Sequence, residues 1–226
     1  RESTDATQHP LAMWVAYWDT NLRLSELQQA DLDTFYRRWS GTYWEDRLRN
    51  DWLLELGRRR DWTNFAADYP RFKLNDDREV ACYALLTDHL AGRDVRDAAR
   101  MSWAAQRDAD DGCALLARTL LSAGVFKPAD AWRKARLAMD INRPRAVVQA
   151  VALATGMPEA KADKALQPLL DNPARFLARD ARTAGRRNAE LTTLALVRLA
   201  ASDPDAAAEA LTKRWERALP AHLAAW

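Results

Sequence analysis

The sequence predicts an all-α fold: a right-handed α-superhelix, or α-solenoid, of stacked helical hairpins, similar to tetratricopeptide arrays but without their consensus residues. Three observations carry this expectation. The 226 residues include only 7 glycines and 9 prolines, with 48% hydrophobic and 29% charged residues, a composition that suits helices and disfavours collagen-like and turn-dense all-β chains. Four glycines, Gly57, Gly92, Gly124 and Gly156, stand 35, 32 and 32 residues apart, and each closes an apolar segment. A period of that size, with two helices in each unit, marks an array whose hairpins bury their apolar faces only against their neighbours. The competing reading is an irregular helical bundle with coincidental glycine spacing.

The elements follow in order. Leu54-Glu55-Leu56-Gly57, Leu90-Ala91-Gly92, Leu121-Ser122-Ala123-Gly124 and Leu153-Ala154-Thr155-Gly156 read as helix ends at which glycine takes the left-handed conformation. A fifth, longer copy ends at Leu199-Ala200-Ala201-Ser202. New helices start at Asp61-Trp62, Asp94-Val95, Pro128-Ala129, Pro158-Glu159 and Asp203-Pro204, all suitable as caps or first-turn residues. The first helix of each hairpin is apolar nearly all round, over 80–90, 113–121, 146–153 and 191–200, so it must be covered on several sides. The second is amphipathic: Ala162, Ala165, Leu166, Leu169 and Leu170 follow helical spacing, as do Ala207, Leu211, Trp215 and Ala218 over 205–219.

Residues 10–72 hold six of the ten tryptophans, Trp14, Trp18, Trp39, Trp44, Trp52 and Trp62, together with seven further aromatic rings. Aromatic faces suit pyranose rings. However, Trp14 and Trp18 lie one helical turn apart, as do Phe35 and Trp39, and this spacing assigns most of these rings to the core between hairpins.

The formal charge of +2, from 34 basic and 32 acidic residues, is too small for a cationic field, and no nucleic-acid reader motif is present. The longest uncharged apolar stretch, around residues 146–154, is about half of the ~20 residues that cross a bilayer. The chain has no starting methionine and no charged-then-apolar leader, so it reads as a processed protein or an excised fragment.

Catalytic signatures are missing. There is no Gly-x-Ser-x-Gly elbow and no glycine-rich phosphate cradle. His9, His89 and His222 lie far apart without zinc-ligand spacing, with His89 expected inside a helix. Asp76-Asp77 and Asp110-Asp111 fit helix N-termini better than an acid–base pair. No catalytic residue, cofactor or metal site is therefore assigned.

Two cysteines form either a bridge or two buried thiols. Cys82 lies ten residues before Gly92 and Cys113 eleven before Gly124, nearly equivalent places in consecutive first helices. With facing side chains at a helix contact, a bridge is geometrically attainable. The pair is read as a disulfide, implying an oxidising compartment.

Several strings together carry a family resemblance. Asn50-Asp51-Trp52-Leu53-Leu54-Glu55-Leu56-Gly57-Arg58-Arg59-Arg60-Asp61-Trp62 is followed by Cys82-Tyr83-Ala84, Asp111-Gly112-Cys113, Arg136-Leu137-Ala138-Met139 and Asn142-Arg143. Their order and spacing resemble the amino-terminal superhelical part of the soluble lytic murein transglycosylases, from about residue 11 to at least residue 153. That family also carries cysteines at the paired positions, which implies the Cys82–Cys113 bridge and a periplasmic address.

The resemblance implies a U-shaped helical scaffold supporting a separate lysozyme-like domain. That domain cleaves the β-1,4 bond between N-acetylmuramic acid and N-acetylglucosamine to a 1,6-anhydromuramoyl product. Its Glu-Ser, Gly-Leu-Met-Gln and Ala-Tyr-Asn motifs are not found here; Glu2-Ser3 stands alone in the polar leading segment. The expectation is thus a non-catalytic scaffold: one superhelical domain over 1–226, a flexible leader at 1–9 and the catalytic domain absent. Its partners are peptidoglycan glycan strands reached through the parent enzyme, and other cell-wall enzymes. Arg58-Arg59-Arg60 and Arg186-Arg187 are candidates to meet acidic groups of murein peptides. The alternative is a helical-repeat adaptor for a protein or peptide.

Overall fold

The computed structural model describes His9 and residues 11–226. The expected leader, apart from His9, and the Glu2-Ser3 pair lie outside the described residues. Among the described residues every regular element is a helix. They divide into two compact units, one up to Val95 and the other Arg96–Trp226.

The first unit contains α1 (Ala12–Leu22), α2 (Gln29–Arg38), α3 (Tyr43–Arg59), α4 (Trp62–Asp68) and α5 (Arg78–Leu90). Helix α3 is central, packing against α1, α4 and α5. It starts at Thr42, whose hydroxyl accepts from Glu45 N, and it buries Leu48, Trp52, Leu53 and Leu56. Asp61 caps α4 by accepting from Asn64 N, and Asp77 caps α5 by accepting from Glu79 N and Val80 N. These caps satisfy amides that the first helical turn leaves without intrahelical partners.

The second unit contains α6 (Arg96–Ala105), α7 (Asp111–Ser122), α8 (Pro128–Asp140), α9 (Pro144–Thr155), α10 (Glu159–Asp171), α11 (Pro173–Arg179), α12 (Arg186–Ala200), α13 (Pro204–Ala210) and α14 (Ala221–Ala224). Helix α6 packs against α8 and α7 against α9, so helices alternate between two layers, while consecutive contacts run from α8 through α13. One core, reaching from Trp132 to Leu223, fills this unit from α8 onward. From Ala189 to Leu199 helix α12 is buried nearly all round, including Thr192, Thr193 and Leu194, as the apolar stretch over 191–200 requires. The extra helix α11 accounts for the length of the fifth copy.

Gly57 departs from expectation. It lies inside α3, and the left-handed residue is Arg60 at φ 61°. Arg60 N donates to Gly57 O and Asp61 N to Leu56 O, the paired bonds of a Schellman ending. The same pair closes α5 at Gly92, α7 at Gly124 and α8 at Asn142. The left-handed positions Arg60, Gly92, Gly124 and Gly156 therefore recur every 32 residues, a stricter period than the glycines themselves.

A second departure lies after α13. The chain makes a π-helical turn over Leu211–Trp215, with Glu216 N donating to Leu211 O at 2.8 Å. The wider turn shifts the register by one residue, so Leu219 is buried and Ala218 is exposed.

Candidate functional site

Both cysteines lie in first helices, Cys82 in α5 and Cys113 in α7, and both are buried. Neither carries a free thiol, because each is disulfide-bonded. Asp110, beside Cys113, caps α7 by accepting from Cys113 N at 2.6 Å. Asp77 and Asp110 thus serve as the helix caps expected of them. His89 sits in the last turn of α5 and His222 in α14. Among the described residues there is no group of three or more His, Cys, Asp or Glu side chains able to hold a metal ion, and no helix is long and apolar enough to cross a membrane.

The basic run at the end of α3 is committed largely to the fold. Arg58 Nη2 donates to Glu55 Oε2 at 2.9 Å and Arg59 Nε to Glu55 Oε1 at 2.7 Å. Arg59 also donates to Leu27 O and Leu24 O and lies over the Trp52 ring, tying the turn before α2 to α3. Burial pushes the Glu55 carboxyl up, but the bonds from Arg59 and Arg58 outweigh it and hold the group below the ordinary carboxylate value. Arg186 and Arg187 lie exposed in the first turn of α12.

Three buried charge clusters escaped the sequence reading. Arg49, 2% exposed, donates to Glu45 at 2.8 Å and to Asp68, and its guanidinium lies 4.0 Å from the Tyr36 ring centroid. Burial, then the Asp68 charge, pushes the Tyr36 phenol up. Arg136 pairs with Glu190 between α8 and α12 and also faces Trp226. Lys134 Nζ donates to the carbonyls of Trp103, at 2.6 Å, and Gln106. The available signal was a charged residue on an otherwise apolar helical face, such as Lys134 among Ala131, Trp132, Ala135 and Ala138; its partner lies on a different helix and leaves no local trace.

The aromatic segment separates into two groups. Phe35, Tyr36, Trp52, Phe65 and Phe72 are buried, as the core reading requires. Trp14, Trp18 and Tyr43 are 44%, 52% and 58% exposed, which overturns that reading for them. Trp14 packs on Trp44 with centroids 4.2 Å apart, and Trp14 and Trp18 lie 6.5 Å apart with planes inclined by 21°. The i, i+4 spacing was legible, but it could not reveal that α3 covers only one side of α1. Beside the rings, Asp51 Oδ2 accepts from Tyr17 Oη at 2.5 Å and Asn21 Nδ2 at 2.8 Å.

No family model and no curated protein matches the chain. Solved structures do. The lytic transglycosylase Slt of Pseudomonas aeruginosa, in an inactive mutant form, is 22% identical over 97% of this chain, with a TM-score of 0.62. The 70-kDa soluble lytic transglycosylase of Escherichia coli is 19% identical over 96%, also at 0.62, and the 70-kDa soluble lytic transglycosylase in complex with bulgecin A gives the same values. The fold is that of a lytic transglycosylase segment. At these identities the likeness shows the fold, the superhelical all-α arrangement of these proteins. The chain spans only about a third of their length, 36% and 35%.

Proposed function

We propose that this chain is the non-catalytic superhelical scaffold of a periplasmic soluble lytic murein transglycosylase. The separate domain of that enzyme would cleave the β-1,4 bond between N-acetylmuramic acid and N-acetylglucosamine to a 1,6-anhydromuramoyl product. The observation that carries this reading is the match of nearly the whole chain to about a third of three lytic transglycosylase structures at a TM-score of 0.62. The resemblance of Asn50–Trp62 and of the segments around Cys82 and Cys113 supports it independently of the fold. In this reading the scaffold positions the catalytic domain along glycan strands and offers surface to other cell-wall enzymes, while the side chains here perform no bond cleavage.

Cys82 and Cys113 are proposed to bridge each other, in keeping with an oxidising periplasm. A loop of about 30 residues corresponds to about 3–4 kcal/mol of chain-entropy stabilisation. Titration of the denatured, unreduced protein should find no reactive thiol, and two would refute the bridge. The parentage is tested by reading the coding sequence downstream of Trp226. A lysozyme-like domain with Glu-Ser and Ala-Tyr-Asn motifs is expected, and a stop codon there would overturn the assignment.

A further inference from the structure

We infer that the aromatic seam between α1 and α3 is a binding platform for an uncharged β-linked glycan. The choice of glycan rests on the scaffold reading above; the platform itself rests on geometry. Trp14, Tyr17, Trp18 and Asn21 fall on one side of α1 at i, i+3, i+4 and i+7, and Tyr43, Trp44, Arg47 and Asp51 recur along the facing side of α3. The rings touch in sequence. Trp18 neighbours Trp14, Trp14 packs on Trp44, and Tyr43 meets Trp44 edge-on at 5.2 Å.

Rings so close normally disappear into a core, yet about half of Trp14, Trp18 and Tyr43 stays in water. Burying an exposed ring face against an apolar surface is favourable. A pyranose supplies such a surface from its axial C–H groups, with hydroxyls projecting around its edge. Those hydroxyls need planar donors and acceptors beside the rings. Arg47 and Asn21 supply donors there, both held by Asp51, which accepts from Asn21 and from the buried Tyr17 hydroxyl and lies 3.7 Å from Arg47 Nη2.

Charge selects among occupants. Asp51, the carboxylate beside the rings, is balanced by Arg47 at 3.7 Å, so the polar group at the seam carries no net charge and attracts neither an acidic peptide nor an anionic surface. A neutral polyhydroxylated chain fits. Leu11, at the start of α1, and Val15 and Leu22 on it are also exposed, on the same helical stripe as Trp18, and a protein seated there is the competing occupant that the experiment must separate.

The test titrates a soluble β-1,4-linked N-acetylglucosamine oligomer into the chain, followed by tryptophan fluorescence and calorimetry, with sedimentation as a parallel measurement. Saturable binding is expected, weakened about tenfold or more by Trp14→Ala and by Trp18→Ala, corresponding to about 1.4 kcal/mol each. Trp18→Tyr should retain most of it, and Trp226→Ala, which removes an exposed indole elsewhere, should leave it unchanged. Circular dichroism of each variant separates lost binding from lost folding. Absence of saturable binding by the folded wild type overturns the inference, as does binding indifferent to both tryptophans. Self-association abolished by Val15→Asp together with no oligomer binding would assign the face to protein instead. Failure of binding with a lysozyme-like domain encoded downstream removes the platform alone; binding with no such domain removes only the scaffold parentage.

Discussion

Gly57 of α3 faces the ring of Tyr83 on α5 so closely that a Cβ built at position 57 would lie 2.4 Å from two ring carbons. Tyr83 is fully buried, so its ring has no free direction in which to retreat. Gly57→Ala improves helix propensity by about 1 kcal/mol, whereas overpacking a buried contact costs about 1–3 kcal/mol or more. The expected result is net destabilisation, read as a lower Tm. A Tm at or above that of the wild type would refute the close-packing account.

Glu55 gives a pH signature. Its carboxyl is held below the ordinary value in the folded protein, so its contribution is present above the unfolded value and is lost as pH falls through the folded one. Glu55→Gln should therefore cost about 1–2 kcal/mol at neutral pH, reflecting charge-assisted bonds only partly screened by solvent. The two proteins should converge in acid. Chemical denaturation at neutral and acidic pH checks it, and a difference that widens in acid would contradict the sign.

Arg136 and Glu190 form a buried pair between α8 and α12. Removing one partner strands the other charge, so Arg136→Met alone should cost about 3–5 kcal/mol. Replacing both, Arg136→Met with Glu190→Met, should recover much of that loss. Urea midpoints of the two single variants and the double variant measure the coupling; strict additivity would show that the pair does not interact.

Lys134 satisfies two carbonyls at the end of α6 from a position on α8. Lys134→Met keeps much of the apolar stem but removes the donor, and the unsatisfied acceptors should cost about 1–3 kcal/mol. Hydrogen exchange is the more specific readout. Amides of the last turn of α6 should lose protection beyond the global change, and a uniform change would point to a packing effect only.

Much of the helical repeat was legible because its signals are local. Gly92, Gly124 and Gly156 end helices where left-handed φ is favourable for glycine, and Asp61, Pro128, Pro158 and Asp203 stand where caps or first turns were expected. The buried stripe of Ala162, Leu166 and Leu169 follows directly from helical spacing. Gly57 misled for an equally specific reason: a glycine near a helix end serves either to reverse the backbone or to admit a neighbouring ring, and one sequence does not distinguish these uses.

The amino-acid order by itself determined the helices, most of their boundaries and the two-helix period, since hydrogen bonding, capping and apolar spacing act within a few residues. Only the tertiary structure decided which indoles stay in water, that Arg60 rather than Gly57 turns left-handed, and which buried charge meets which partner. These outcomes depend on surfaces brought together from distant positions, where a single methyl group or an uncovered helix side outweighs any local preference.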